Sequence, residues 1–258
     1  MTVALEVSGL SVRFGGVAAL SDVSFAVRAG TVTSLIGPNG AGKTTAFNAI
    51  TGFQRPTAGR VRHEGVAITG WRPHRIAERG LVRTFQKTSV FPGLTVMDNV
   101  LTGLHLTGGV GLGSALFRRG RVGDEERRLG ELARRGLEFV GLAGRSGERA
   151  SALAYGDQRL LELAVALAAG PRLLLLDEPA SGMTTSEKET VAGLISRIRA
   201  RGLTVFLVEH DMRLVMGMSD RVLVLNEGRL IADGSAEDVQ RHPDVIQAYL
   251  GARARAEA

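Results

Sequence analysis

Apolar positions along the chain follow two different periods. Residues 3–30 carry short β-rich runs, VALEVSGLSVRF and VSFAVRAG, on either side of Gly15-Gly16, which predicts strand, turn, strand. Thr31–Ile36, TVTSLI, is a compact buried-strand run that leads into glycine-rich GPNGAGKTT and then apolar-periodic AFNAITGF, predicting strand, loop, helix. Between Arg55 and Gly70, glycines and Pro56 bracket another β-like piece. From about 88 to 167 the texture becomes helical. Leu129, Leu132, Ala133, Leu137 and Val140 recur at helical spacing, and helices are predicted over 95–106, 124–141 and 157–169. Beyond Pro171 strand and helix alternate: 172–177, 188–202, 204–211, 212–219, then 221–234. Such alternation implies βα units on a largely parallel sheet. The tail GARARAEA is small and charged and is expected to fray.

One α/β nucleotide-binding domain is therefore expected, its core formed by 1–87 and 168–258. An N-terminal antiparallel β part belongs to that core, and an all-helical segment, 88–167, is inserted in it.

Composition narrows the class only slightly. In 258 residues, 44% are hydrophobic and 22% charged, an ordinary globular balance. With no cysteine, disulfides and thiolate-held metals are excluded. No apolar run approaches the roughly 18 residues needed to cross a bilayer, and the start, MTVALEVSGL, lacks the basic region and apolar core of a secretory signal. A cytoplasmic protein is expected. The net charge of +6 permits contact with nucleic acid, anionic lipid or phosphate without choosing among them. Only three of the 32 basic residues are lysines, Lys43, Lys87 and Lys188, so a lysine in a special place is informative.

Lys43 is in such a place. Gly37-Pro38-Asn39-Gly40-Ala41-Gly42-Lys43-Thr44, followed by Thr45, fits the phosphate-binding loop G-x-x-x-x-G-K-[ST]. Glycines let the backbone wrap so that several N–H groups point at phosphate oxygens, and the next helix aims its positive end there. Lys43 adds a mobile charge for the β/γ-phosphates, and the Thr44 hydroxyl is an oxygen ligand for Mg²⁺. Further on, Leu173–Leu176 is an apolar strand ending in Asp177-Glu178. An acid at a buried strand end can hold Mg²⁺, and the next can polarise the attacking water. Asp177 is read as the metal ligand and Glu178 as the general base.

Three weaker features gain meaning from these two. Ala154-Tyr155-Gly156 opens the predicted 157–169 helix and could form an anion site, although an ordinary helix start looks the same. Gln86, after a short β-like run, can reach Mg²⁺ or its water. His210 closes TVFLVEH in position to contact a γ-phosphate, although a lone histidine there is usually structural.

Taken in order, these pieces resemble the ATP-binding-cassette (ABC) ATPases, P-loop NTPases with an inserted helical subdomain. GPNGAGKT looks like Walker A, LLLLDE like Walker B with its catalytic glutamate, Gln86 like the Q-loop, LAYGDQR like the signature, and His210 like the switch histidine. Phe14, in VRFGG, matches the aromatic on which the family stacks adenine. TFQ, VEHDMRLVMGMSDRVLVLNEGRLIADG and PDVIQAYLG further resemble the ATPase subunit of branched-chain amino-acid importers. The resemblance implies ATP and Mg²⁺ as cofactors, hydrolysis by Glu178 and His210, and Thr44, Gln86 and Asp177 around the metal. It implies a head-to-tail dimer with a second ATPase subunit, itself or a different chain, in which Ala154–Gly156 of one covers the Walker loop of the other. It also implies two membrane-spanning permease subunits, a solute-binding protein, and a place on the cytoplasmic face of the membrane.

Four positions depart from the family pattern. Ala154 replaces the signature serine and Tyr155 a glycine; Asp157 stands where glutamine is usual, and its charge would weaken ATP binding if it pointed inward. Thr184 replaces the acid or asparagine of the dimer-contact loop. Two other functions remain open at this point: a soluble cassette acting on nucleic acid or ribosomes, and a regulatory cassette that binds ATP without turnover. For the first, 118–135 carries seven arginines against four acids, although a solvated helix face looks the same and the single Walker loop argues against it, so no nucleic acid is expected. Glu178 and His210 argue against the second.

Overall fold

The computed structural model describes residues 2–84, 90–104 and 122–256. Strands β1 (Val3–Phe14) and β2 (Val17–Arg28) form the expected hairpin, and β4 (Ala58–His63) and β5 (Val66–Ala67) extend it. These make an antiparallel four-stranded sheet in the order β2-β1-β4-β5. The six-stranded sheet adds β3 (Val32–Ile36), β6 (Leu81–Arg83), β7 (Leu173–Asp177), β8 (Thr204–Val208), β9 (Arg221–Asn226) and β10 (Arg229–Gly234). Its order is β10-β9-β3-β8-β7-β6, parallel throughout except for the β9–β10 edge hairpin.

Both faces of this sheet are covered, which is why β7 reads as an unbroken apolar run. Leu173 and Leu175 face a core with Phe25, Phe47 and Phe206, whose rings meet at centroid distances of 5.5 and 5.0 Å. Leu174 and Leu176 face the opposite core, shared with Val100, Leu137, Leu161 and Ile195. Thus α3 (Val96–Leu104), α4 (Val122–Val140) and α5 (Tyr155–Ala168) pack onto the same apolar layer as α6 (Thr185–Ala200).

Two helices begin earlier than expected. α5 begins two residues early, so Tyr155 and Gly156 are helical rather than a preceding turn. α6 begins at Thr185 because Thr184 and Glu187 form a capping box there. The remaining helices are α1 (Lys43–Ile50), α2 (Pro73–Glu78), α7 (Met212–Met218), α8 (Ala236–Arg241) and α9 (Pro243–Ala256). α9 extends into the tail as far as Ala256, its Ala, Arg and Leu residues being strong helix formers.

The carboxyl ends of the parallel strands gather the chemistry. β3 runs into the phosphate loop, β7 ends on Asp177, β8 leads to Glu209-His210, and β6 ends on Arg83. A crevice outside these strand ends is where open α/β sheets bind ligands.

Candidate nucleotide site

Residues 37–42 wrap between β3 and α1. Gly37 has φ +150°, and a Cβ on it would collide with the Leu225 carbonyl oxygen, so only glycine lets the loop pass this close to β9. The N-terminus of α1 has neither a side-chain cap nor an acidic residue in its first turn. In contrast, α6, α7 and α8 begin on Thr184, Asp211 and Ser235, each of which accepts backbone hydrogen bonds. The amides of α1 are thus left for an anion. Lys43 is buried, and its Nζ donates to the carbonyls of Gly37 at 2.6 Å and Pro38 at 3.0 Å. Burial pushes its pKa below the usual lysine value, and the Glu178 and Asp177 carboxylates pull it back up. Thr44 is exposed at the helix start and Thr45 half-buried beside it.

Asp177 is buried at the end of β7, and its Oδ2 accepts from Arg83 Nη2 at 2.7 Å. Glu178 follows with φ +49°, a left-handed conformation costly by about 1–2 kcal/mol for a residue with a side chain. It is held there by its amide donating to the Val208 carbonyl at 2.9 Å, and by its own carbonyl accepting from Ser181 at 3.1 Å. His210 Nδ1 lies 3.9 Å from Glu178 Oε2, and its side chain is 55% exposed, open to a ligand. Sequence reasoning missed Glu209, whose carboxylate is 1% exposed. It accepts from the amides of Ala180 and His210, both at 3.1 Å, joining the loop after Glu178 to His210. Burial raises its pKa, and those amides and His210 oppose the rise. Its only sequence signal is an acid directly after an apolar strand.

The Ala154–Gly156 segment opens α5, again without a side-chain cap. Ala154 and Tyr155 are exposed, while Gly156 is buried where a Cβ would strike the Glu187 carboxylate. Asp157, in the first turn of α5, pairs with Arg145 at 2.6 Å, a guanidinium it shares with Glu148 at 2.8 Å. Thr184 serves as a helix cap in place of an acid. Phe14 is 51% exposed at the β1–β2 turn. Gln86 lies outside the described residues.

The donors present suit Mg²⁺. Among the described residues no cluster of three acids or histidines exists to form an all-protein cage. One carboxylate, one hydroxyl and phosphate oxygens are what Mg²⁺ usually takes. A cavity of about 990 Å³ opens over the phosphate loop, with Pro38, Asn39 and His210 on one side and Asp244, Gln247 and Tyr249 of α9 on the other.

A phosphate loop feeding an uncapped helix, an acidic strand end and a histidine beyond the adjacent strand define a P-loop ATPase of the cassette type. The comparisons carry this further. Residues 20–181 match the ABC transporter family model, and 229–255 match that of the branched-chain amino acid ATP-binding cassette transporter. The chain is 45% identical to the high-affinity branched-chain amino acid transport ATP-binding protein BraF of Pseudomonas aeruginosa, over 96% of this chain and 97% of that protein. It is 42% identical to the LivG protein of Escherichia coli, with the same coverage. Among solved structures, the ADP conformation of MJ1267, an ATP-binding cassette of an ABC transporter, superposes with a TM-score of 0.85 at 32% identity, covering 97% of this chain and 100% of that one. The chain belongs to the ABC transporter ATP-binding proteins, in the branched-chain amino acid branch, and is an ATPase. Among the described residues no helix is long and apolar enough to cross a membrane.

Proposed function

We propose that this chain powers an importer of amino acids, branched-chain ones first, from the cytoplasmic face of the membrane through two permease subunits supplied by a solute-binding protein. The names of its relatives and the family match at 229–255 support that reading. Exposed Phe91 and Leu94, ahead of α3, offer apolar surface for a permease contact.

The observation that carries the chemistry is Glu178 facing His210 across 3.9 Å at the edge of the phosphate loop. Gly37–Gly42 and Lys43 hold the ATP phosphates, Thr45 lies beside them, and Phe14 stacks on adenine. Glu178 takes the proton of the attacking water, and His210 donates toward the γ-phosphate. Thr44, Asp177 and Gln86 would hold Mg²⁺, which when bound neutralises charge on the phosphate oxygens. The uncapped start of α5, at Ala154, Tyr155 and Gly156, covers the γ-phosphate of a second ATPase subunit in a head-to-tail dimer, supported by its free amides. Residues 88–167 act as the helical subdomain that carries this contact.

The test is Glu178→Gln. It should bind ATP normally, lose about 10²–10⁴-fold in kcat, and associate with Mg-ATP but not Mg-ADP in light scattering. Undiminished turnover would remove Glu178 from the mechanism. A chain that stays monomeric with ATP would exclude the self-dimer and require a different ATPase partner.

A further inference from the structure

One guanidinium joins three elements beneath the phosphate site. Arg83, the last residue of β6, has a side chain only 5% exposed. Its Nη2 donates to Asp177 Oδ2 at 2.7 Å. Its Nη1 donates to Asn48 Oδ1 at 2.7 Å and Thr51 Oγ1 at 3.1 Å, both at the far end of α1. The Thr51 hydroxyl donates its hydrogen bond to the Phe47 carbonyl at 2.6 Å, so its oxygen is left to accept from Arg83. The guanidinium carbon stands 5.5 Å from the Phe47 ring centroid, which adds a cation–π contact.

This arrangement divides the labour of the Asp177 carboxylate. Oδ2 is taken by Arg83, while Oδ1 accepts no hydrogen bond from any other described residue. A carboxylate that must hold a small, geometrically demanding cation gains from having its orientation fixed by its other oxygen. The planar fork fixes it against α1, the helix that carries Lys43 and Thr44 at its opposite end. Lysine would offer a point charge and could not span three partners in one plane. The competing role, neutralising a buried carboxylate, would be served by any cation.

We propose that Arg83 is a positioning residue for the Mg²⁺ ligand Asp177, setting metal affinity through the geometry of its fork. This rests on the reading of Asp177 as the metal ligand. It assigns to Arg83 a role in metal binding and none in nucleotide contact.

Two titrations of the full-length chain test it. Binding of the non-hydrolysable ATP analogue adenylyl imidodiphosphate is measured with metal removed by EDTA and then with rising Mg²⁺; free Mn²⁺ is followed separately by its electron paramagnetic resonance signal. In Arg83→Met the metal-free affinity should stay within about twofold, while the Mg²⁺ or Mn²⁺ concentration for half-saturation rises about 10-fold or more. Arg83→Lys, which keeps the buried charge, should still show most of that rise. Asn48→Ala, which loosens the fork and leaves Arg83 in place, should show a smaller one, and it covers the case where loss of the arginine prevents folding. Unchanged metal dependence in the folded variants overturns the proposal. Full restoration by lysine replaces positioning with charge balance alone. Wild-type binding that ignores Mg²⁺ altogether would instead sink the assignment of Asp177.

Discussion

Tyr155, the first residue of α5, donates its hydroxyl to the Ser181 carbonyl 3.1 Å away, in the loop that leaves Glu178. The same oxygen accepts from Arg159 Nε at 3.1 Å and Nη2 at 2.9 Å, and Arg159 is itself paired with buried Glu162 at 2.8 Å. A position where the family pattern has glycine thus carries a brace from the start of α5 to the loop of the proposed base. Tyr155→Phe keeps the ring and removes the bridge to Ser181. We expect destabilisation of about 1 kcal/mol by denaturant titration, with kcat lowered and ATP affinity retained. Tyr155→Gly should lower kcat further. Wild-type turnover in both variants would reduce the brace to packing.

Thr184, at the position where a dimer-contact acid or asparagine was expected, caps α6. Its hydroxyl accepts from the Glu187 amide, and the Glu187 carboxylate accepts from the Thr184 amide and hydroxyl, both at 2.8 Å. Thr184→Ala should lower Tm by about 2–4 °C, the usual effect of losing such a cap in a chain of this size. Thr184→Asp, a good cap, should restore most of that Tm. Thr184→Ala that keeps wild-type Tm but loses turnover would move this residue from structure to mechanism.

Lys43 tests the phosphate loop by separating stability from binding. Its folded pKa lies below the unfolded value of 10.5 because burial disfavours the ammonium. The native state therefore sheds that proton more readily, and the wild type gains stability as pH rises toward the unfolded value; at neutral pH the full penalty is present. Lys43→Met removes the penalty. Calorimetry should give a Tm equal to or above wild type at pH 7, while ATP affinity falls at least about tenfold with the loss of a charge-assisted contact. Intact ATP affinity would contradict the placement of the phosphates.

Local signals made much of this legible. The β3–loop–α1 unit and the acidic end of β7 are written in contiguous residues, because backbone curvature and strand burial depend on neighbours in the chain. Contacts between distant segments were not. Nothing near Asp157 announces Arg145 as its partner, and nothing near Tyr155 announces Ser181, 26 positions on. The helical reading of 251–256 was available from composition, since Ala and Arg favour helix, but charge and a terminal position argued for fraying. Glu209 was hidden for another reason: beside a histidine with a clear family role, a buried acid draws no notice until its two amide donors are seen.

Tyr249 on α9 allows a pH experiment on the wall of the phosphate cavity. It packs beside the cluster of Ile36, Val222 and Val224, and burial pushes its phenol up to about 12, with the Gly37 backbone pulling the other way. A folded pKa above the unfolded value near 10 means that native and unfolded chains hold the proton equally below pH 10. Above it the unfolded chain ionises first, so the wild type loses stability as pH rises from about 10 to 12, by up to about 3 kcal/mol. Tyr249→Phe keeps the ring and cannot ionise. Urea titrations should find it within about 1 kcal/mol of wild type at pH 7 and increasingly favoured over wild type above pH 10. Tyr249→Ala should lose stability at every pH and weaken ADP binding several-fold, because a side chain packed on the Ile36 cluster and lining the phosphate cavity is gone. A wild type and a phenylalanine variant that stay parallel up to pH 12 would show that the phenol is solvated in the native state.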